Sequence, residues 1–146
     1  METKFKLIPA VFTPFAESGK VNYPAIRHYA DKLVSEGAYG VFVCGTTGES
    51  SSMTTGERKK VLETWVEAVD GRISVIAHVG GNCQEQCIEL AAHAASLKVD
   101  AVGAIGPCYF KPGDVDALID YYKPIAAAAA PLPFYSYHMP SVTGIK

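Results

Sequence analysis

Five short apolar runs punctuate the chain: LIPAVF at 7–12, GVFVCG at 40–45, ISVIAHVG at 73–80, DAVGAIGP at 100–107 and LPFYSYH at 132–138. Each is rich in β-branched or aromatic residues and bounded by Gly or Pro. Continuous apolar runs of this length predict strands buried on both faces, as in a parallel sheet. Between them lie four segments with a helical period. In 22–37, Asn22 is the expected N-cap, Pro24 falls in the first turn, Ile26, Tyr29, Ala30, Leu33 and Val34 share a face, and Gly37 closes the helix. In 54–71, Thr54-Thr55-Gly56-Glu57 spells a capping box ahead of Val61, Leu62, Trp65 and Val69. In 82–98, Asn82 is the expected cap, with Glu85 three residues later. In 113–130, Val115, Leu118, Ile119 and Tyr122 form the stripe, and Pro124 is expected to kink or end the helix.

The predicted order is therefore βαβαβαβαβ, with strand starts about thirty residues apart and each return parallel. Two folds are built from such units. The open doubly wound sheet is complete at five strands. The eight-stranded (β/α) barrel typically needs about 250 residues. With 146 residues, length alone favours the doubly wound sheet.

Composition narrows the partners. Apolar residues make up 49% of the chain, enough for a sizeable single-domain core. Thirteen basic and fifteen acidic residues give a net charge of -2, which offers no field for nucleic acid or an acidic membrane. No run approaches the ~20 apolar residues of a membrane span, and METKFKLIPA lacks the apolar core of a signal peptide. The expectation is a cytoplasmic protein. Four cysteines fit that compartment as reduced thiols, with Cys44 and Cys108 expected to be buried. Cys83 and Cys87 share a helical face and offer zinc-type ligands with His78 or His93. No metal spacing recurs, so no metal is assigned.

The chemistry-bearing residues cluster where the apolar runs stop. GTTGES (45–50) follows the second predicted strand. It lacks the lysine of a P-loop and the spacing of a dinucleotide turn, and Glu49 is its only strong metal ligand. Its two threonine hydroxyls and backbone N–H groups match a carboxylate better, the glycines allowing close approach. A tight turn whose threonines bond only the turn itself is the competing reading. Tyr137 ends the fifth run, placed either to move a proton or to fill the core. GPCYFKP (106–112) ends the fourth, with Tyr109 and Lys111 exposed. Lys111 is either a solvated loop lysine or an imine-forming nucleophile.

Taken together, AVFTPF at 10–15, GTTGE at 45–49, P-x-Y at 107–109 and Y-x-x-P-x-x-T-G at 137–144 resemble the N-acetylneuraminate lyase/dihydrodipicolinate synthase family of class I aldolases. The likeness runs the length of the chain, in order. It implies an incomplete (β/α)8 barrel, the first five β/α units, and so reverses the argument from length. It also implies Schiff-base chemistry on a 2-keto acid with no cofactor. By the family's pattern, Thr46 and Thr47, with the Gly48 backbone, bind the keto-acid carboxylate. Tyr137 donates and accepts the proton, and Tyr109 joins a proton relay near a subunit interface. Family members are homo-oligomers, tetramers in full-length form.

Within the family, dihydrodipicolinate synthases carry an arginine after the P-S of the last motif. Here the residues are Pro140-Ser141-Val142. With AAAAAPLPFYSYH, this resembles the animal type of sialic acid lyase, which cleaves N-acetylneuraminate reversibly to N-acetylmannosamine and pyruvate. Other pyruvate aldolases of the family, or a non-catalytic form that pairs with another chain, are the alternatives. The family's imine-forming lysine lies on the sixth strand. Lys146 matches a different family lysine, so residues 1–146 are expected to stop before the nucleophile and to be inactive alone. The reading requires the Thr46 and Thr47 hydroxyls and the Tyr137 phenol to share one pyruvate-sized pocket.

Overall fold

A computed structural model describes residues 5–145. Four strands, β1 (Gly40–Val43), β2 (Ser74–His78), β3 (Ala101–Ile105) and β4 (Phe134–Tyr137), alternate with helices α1 (Tyr23–Ser35), α2 (Thr55–Val69), α3 (Gln84–Ser96) and α4 (Val115–Ala129), and a short α5 (Pro140–Thr143) follows. The sheet is parallel, in the order β1-β2-β3-β4. Strand order thus follows chain order without reversal. A doubly wound sheet would reverse at a switch point, whereas a barrel adds each strand beside the last. The architecture is the N-terminal half of a (β/α)8 barrel. Two compact units divide it, the first running to Ile76 and the second starting at Ala77.

In the first unit, α1 packs on α2. Asn22 Oδ1 accepts the Ala25 N–H at 3.3 Å, as a cap should. At the other end Gly37 takes φ +80°. Its N–H reaches Val34 O and the next N–H, of Ala38, reaches Leu33 O, a Schellman closure that satisfies two terminal carbonyls. α2 starts with the complete capping box: Thr54 Oγ1 accepts from the Glu57 N–H, and Glu57 Oε2 accepts from the Thr54 N–H. Those bonds hold the Glu57 carboxyl below its ordinary value. Their stabilisation is therefore present above the unfolded carboxylate range and fades as pH falls through the lowered value. Ile26, Val41, Val43, Val61 and Trp65 are fully buried between these elements, each such side chain contributing about 1.5–3 kcal/mol.

The strand expected at 7–12 is reduced to one parallel bridge, Ala10 to Phe42. Val11 N–H still reaches Phe42 O, and Phe42 N–H reaches Pro9 O. Pro9 has no N–H to give the ladder, so regular pairing does not extend.

In the second unit, α3 packs on α4, and β3 pairs with β4 in the register Val102↔Phe134 to Ile105↔Tyr137. Two expectations need correction here, and at Pro124 one of the two expected outcomes, a helix end, is removed. Asn82 does not cap α3. Cys83 holds the N-cap position with no side-chain bond, because the Asn82 amide oxygen is engaged elsewhere. Pro124 does not end α4, which continues to Ala129. A proline removes one ladder bond, and the alanines that follow are the best helix formers, with Ile125 and Ala129 fully buried. Cys108 is exposed rather than buried, because the chain leaves the sheet at Pro107.

Gly80 shows how tightly the second unit is built. A Cβ there would stand 2.6 Å from Ile105 O and would also collide with Ile105 N. Backbone cannot move aside as a side-chain tip can. Gly80→Ala is expected to cost about 1–3 kcal/mol, seen as a lower urea midpoint. Among the described residues no helix is long and apolar enough to cross a membrane.

Candidate active site

β1 ends at Val43, and the next residue, Cys44, turns the chain with φ 58°. Glu49 repeats the left-handed conformation at φ 54°. Two non-glycine residues in this region within six positions mark a strained loop, a state that persists only where surroundings enforce it. The enforcing contacts are visible. Glu49 N–H bonds Thr46 O at 3.0 Å and Ser50 N–H reaches Gly45 O at 3.4 Å. Thr13, itself buried, donates its hydroxyl to Gly48 O at 2.7 Å. Gly48 is buried, and a Cβ there would lie 3.1 Å from both Val11 O and Cys44 Cα. The turn thus needs its glycine for close approach. Thr46 and Thr47 are exposed on this braced loop. Thr13 was missed in the sequence as a site-building residue. Its only signal was its place in AVFTPF, directly after the first apolar run.

Cys44 lies under the loop with its thiol directed at Arg58 O, 3.9 Å away. Burial pushes that thiol up to about 11, against a smaller opposing pull from the Arg58 charge. At pH 8 only about 0.1% is thiolate, so Cys44 is a poor nucleophile. Cys87 is also buried, while Cys83 and Cys108 are exposed. Iodoacetamide at pH 8, followed by intact mass, is expected to add two groups rapidly and the remaining two only on unfolding.

In the second unit, Tyr137 closes β4 opposite Ile105. Its ring is half-buried and stands edge-on to His78, with centroids 5.9 Å apart. Its hydroxyl lies 3.9 Å from Met139 Sδ. His78 is buried, and its Nε2 accepts the Ile105 N–H at 3.2 Å. As the acceptor in that bond, Nε2 carries no proton. His78 is therefore a buried support beside Tyr137, and the zinc set considered for it does not assemble: among the described residues no three His, Cys, Asp or Glu side chains cluster.

Tyr109 is 77% exposed on the loop after β3. Asn82 Oδ1 accepts its N–H at 3.1 Å and that of Cys108 at 2.9 Å. Lys111 is exposed too, its ammonium resting over Gly144, the left-handed C-cap of α5. Thr46, Thr47 and Gly48 thus share one loop of the first unit, and Tyr109 and Tyr137 stand at the ends of adjacent strands in the second.

Residues 4–146 match the dihydrodipicolinate synthetase family. The chain belongs to that family. Among curated relatives, the N-acetylneuraminate lyase of Mus musculus is 45% identical over 142 residues, which is 96% of this chain and 44% of the mouse protein. The solved structure of Proteus mirabilis N-acetylneuraminate lyase superposes with a TM-score of 0.93 at 44% identity, covering 96% of this chain and 47% of that one. Dihydrodipicolinate synthase from Aquifex aeolicus gives a TM-score of 0.90 at 37% identity, over 97% and 47% respectively. The chain spans less than half the length of these relatives.

Proposed function

We propose that this chain is the N-terminal part of an N-acetylneuraminate lyase, an aldolase that cleaves sialic acid reversibly to N-acetylmannosamine and pyruvate. The observation that carries the reading is the 45% identity to the mouse lyase across nearly the whole chain. The absence of an arginine after Pro140-Ser141 favours it over dihydrodipicolinate synthesis. In this reading Thr46 and Thr47, with the Gly48 backbone, hold the keto-acid carboxylate on their braced loop. Tyr137 relays the proton of the substrate's C4 hydroxyl as the C3–C4 bond breaks, giving up its own phenolic proton toward C3 of the enamine. The electron pair of that bond passes into an iminium formed on a lysine, and protonation of the resulting enamine followed by hydrolysis frees pyruvate. Tyr109 joins the proton relay near a subunit interface. The lysine is assigned to a strand following β4, so residues 1–146 are a partial barrel that supplies the carboxylate-binding and proton-transfer groups. No metal or organic cofactor is required, because the iminium is the electron sink. In the same reading, by resemblance to the family, the full protein is a cytoplasmic homotetramer.

Two measurements test this. The reading frame after Lys146 is expected to encode a G-[LIV]-K stretch on a further strand. Pyruvate with borohydride, followed by intact mass, is expected to leave residues 1–146 unmodified. A covalent adduct on Lys111 or any other lysine would contradict this division of labour.

A second reading has its own support. β4 ends the sheet, and Tyr135 on it is 58% exposed. An edge of this kind invites pairing with another chain. A discrete dimer in sedimentation would favour a non-catalytic pairing form, whereas a monomer would count against it.

A further inference from the structure

The loop after β3 leaves the sheet at Pro107 and carries Tyr109 outward, where its ring stands edge-on to Phe110 with centroids 4.9 Å apart. Its backbone is fastened through one side-chain atom. Asn82 Oδ1 accepts the Cys108 N–H at 2.9 Å, the Tyr109 N–H at 3.1 Å and the Cys108 thiol at 3.5 Å. Two successive N–H groups turned onto one oxygen form a nest, a concavity that suits an amide oxygen or a carboxylate. Asn82 occupies it at the expense of its local role, since α3 begins without a side-chain cap.

We infer that Asn82 is the positioning residue for Tyr109: its amide oxygen, reaching from the loop after β2, sets where the tyrosine stands. The role of Tyr109 rests on the reading above, while the fastening rests on geometry alone. The acceptor oxygen does the holding, and the amide nitrogen is dispensable. Aspartate keeps that oxygen and adds charge to the same two N–H groups. Leucine has nearly the same shape and no acceptor. Because Asn82, Cys108 and Tyr109 are all exposed, the released N–H groups turn to water, and the global fold loses little.

Amide hydrogen exchange resolved at Cys108 and Tyr109 by NMR, on the 146-residue chain, tests the inference with Asn82→Leu and Asn82→Asp. In N82L both amides are expected to exchange about tenfold faster, with Val102 and Ala104 in β3 unchanged. In N82D the protection is expected to be retained or increased. Unchanged exchange at Cys108 and Tyr109 in N82L, or lost protection in N82D, overturns the inference. If N82L fails to fold, N82D alone decides by the same criterion. Pyruvate added to the same samples reads out the functional proposal separately. Absent shifts at Thr46 and Thr47 count against carboxylate binding and leave the Asn82 result standing.

Discussion

Tyr137→Phe is expected to lower sialic acid cleavage by about 10²–10⁴-fold, the usual contribution of a positioned proton-transfer group. The measurement is pyruvate release by the full-length protein of the proposed function, in which a lysine outside residues 1–146 forms the imine. The substitution isolates the phenol from its surroundings. A phenyl ring keeps the edge-on contact with His78 and the backbone pairing opposite Ile105. Stability should therefore shift by less than about 1 kcal/mol. With the carboxylate assigned to Thr46 and Thr47 in the proposed function, the loss is expected mainly in kcat. An enzyme retaining activity within a few-fold of wild type would remove Tyr137 from the chemistry. Loss of activity together with thermal stability would make it a packing residue.

Trp65→Ala is expected to cost about 3–5 kcal/mol, a large share of the 5–15 kcal/mol that holds a typical domain. Trp65 is wholly buried on α2, edge-on to Tyr29 with centroids 5.4 Å apart. Tyr29 in turn stacks on Phe12 at 4.4 Å. Removing the indole undercuts this aromatic series as well as opening a cavity. Trp65→Phe separates two contributions. The indole Nε1 is buried without a hydrogen-bond partner among the described residues, and an unmet buried donor costs about 1–3 kcal/mol. Phenylalanine removes that donor as alanine does, but it keeps an aromatic ring in the space, so its cost should fall well below that of alanine. Urea unfolding followed by circular dichroism measures both. Equal losses for the two variants would mean that the volume of the ring is not what Trp65 contributes.

The periodicity of the chain located the four long helices, α1 to α4, because an amphipathic stripe is a local pattern; the short α5 carries no such stripe. Asn22 and the Thr54–Glu57 box act within four residues of themselves, and both formed as expected. Strand positions were legible for the same reason, save at 7–12, where a strand's extent depends on the donors of both partners and Pro9 lacks one. Length pointed to the wrong fold. The choice between an open sheet and a barrel lies in strand order, which no local pattern encodes. The motif resemblance and the unreversed order β1-β2-β3-β4 decide it together.

The candidate site divides the same way. Thr46, Thr47, Gly48, Tyr109 and Tyr137 could be singled out from sequence because strand ends carry chemistry in both parallel folds. Their supports could not. Thr13 reaches Gly48 across 35 positions, Asn82 reaches Tyr109 across 27, and His78 meets Ile105 across another 27. Asn82 had a plausible local job as a cap, and a distant pair of N–H groups outcompeted it. Local order follows from neighbours along the chain. Which polar group satisfies which partner depends on what the fold brings within 3 Å or so, and that was decided only by the tertiary structure.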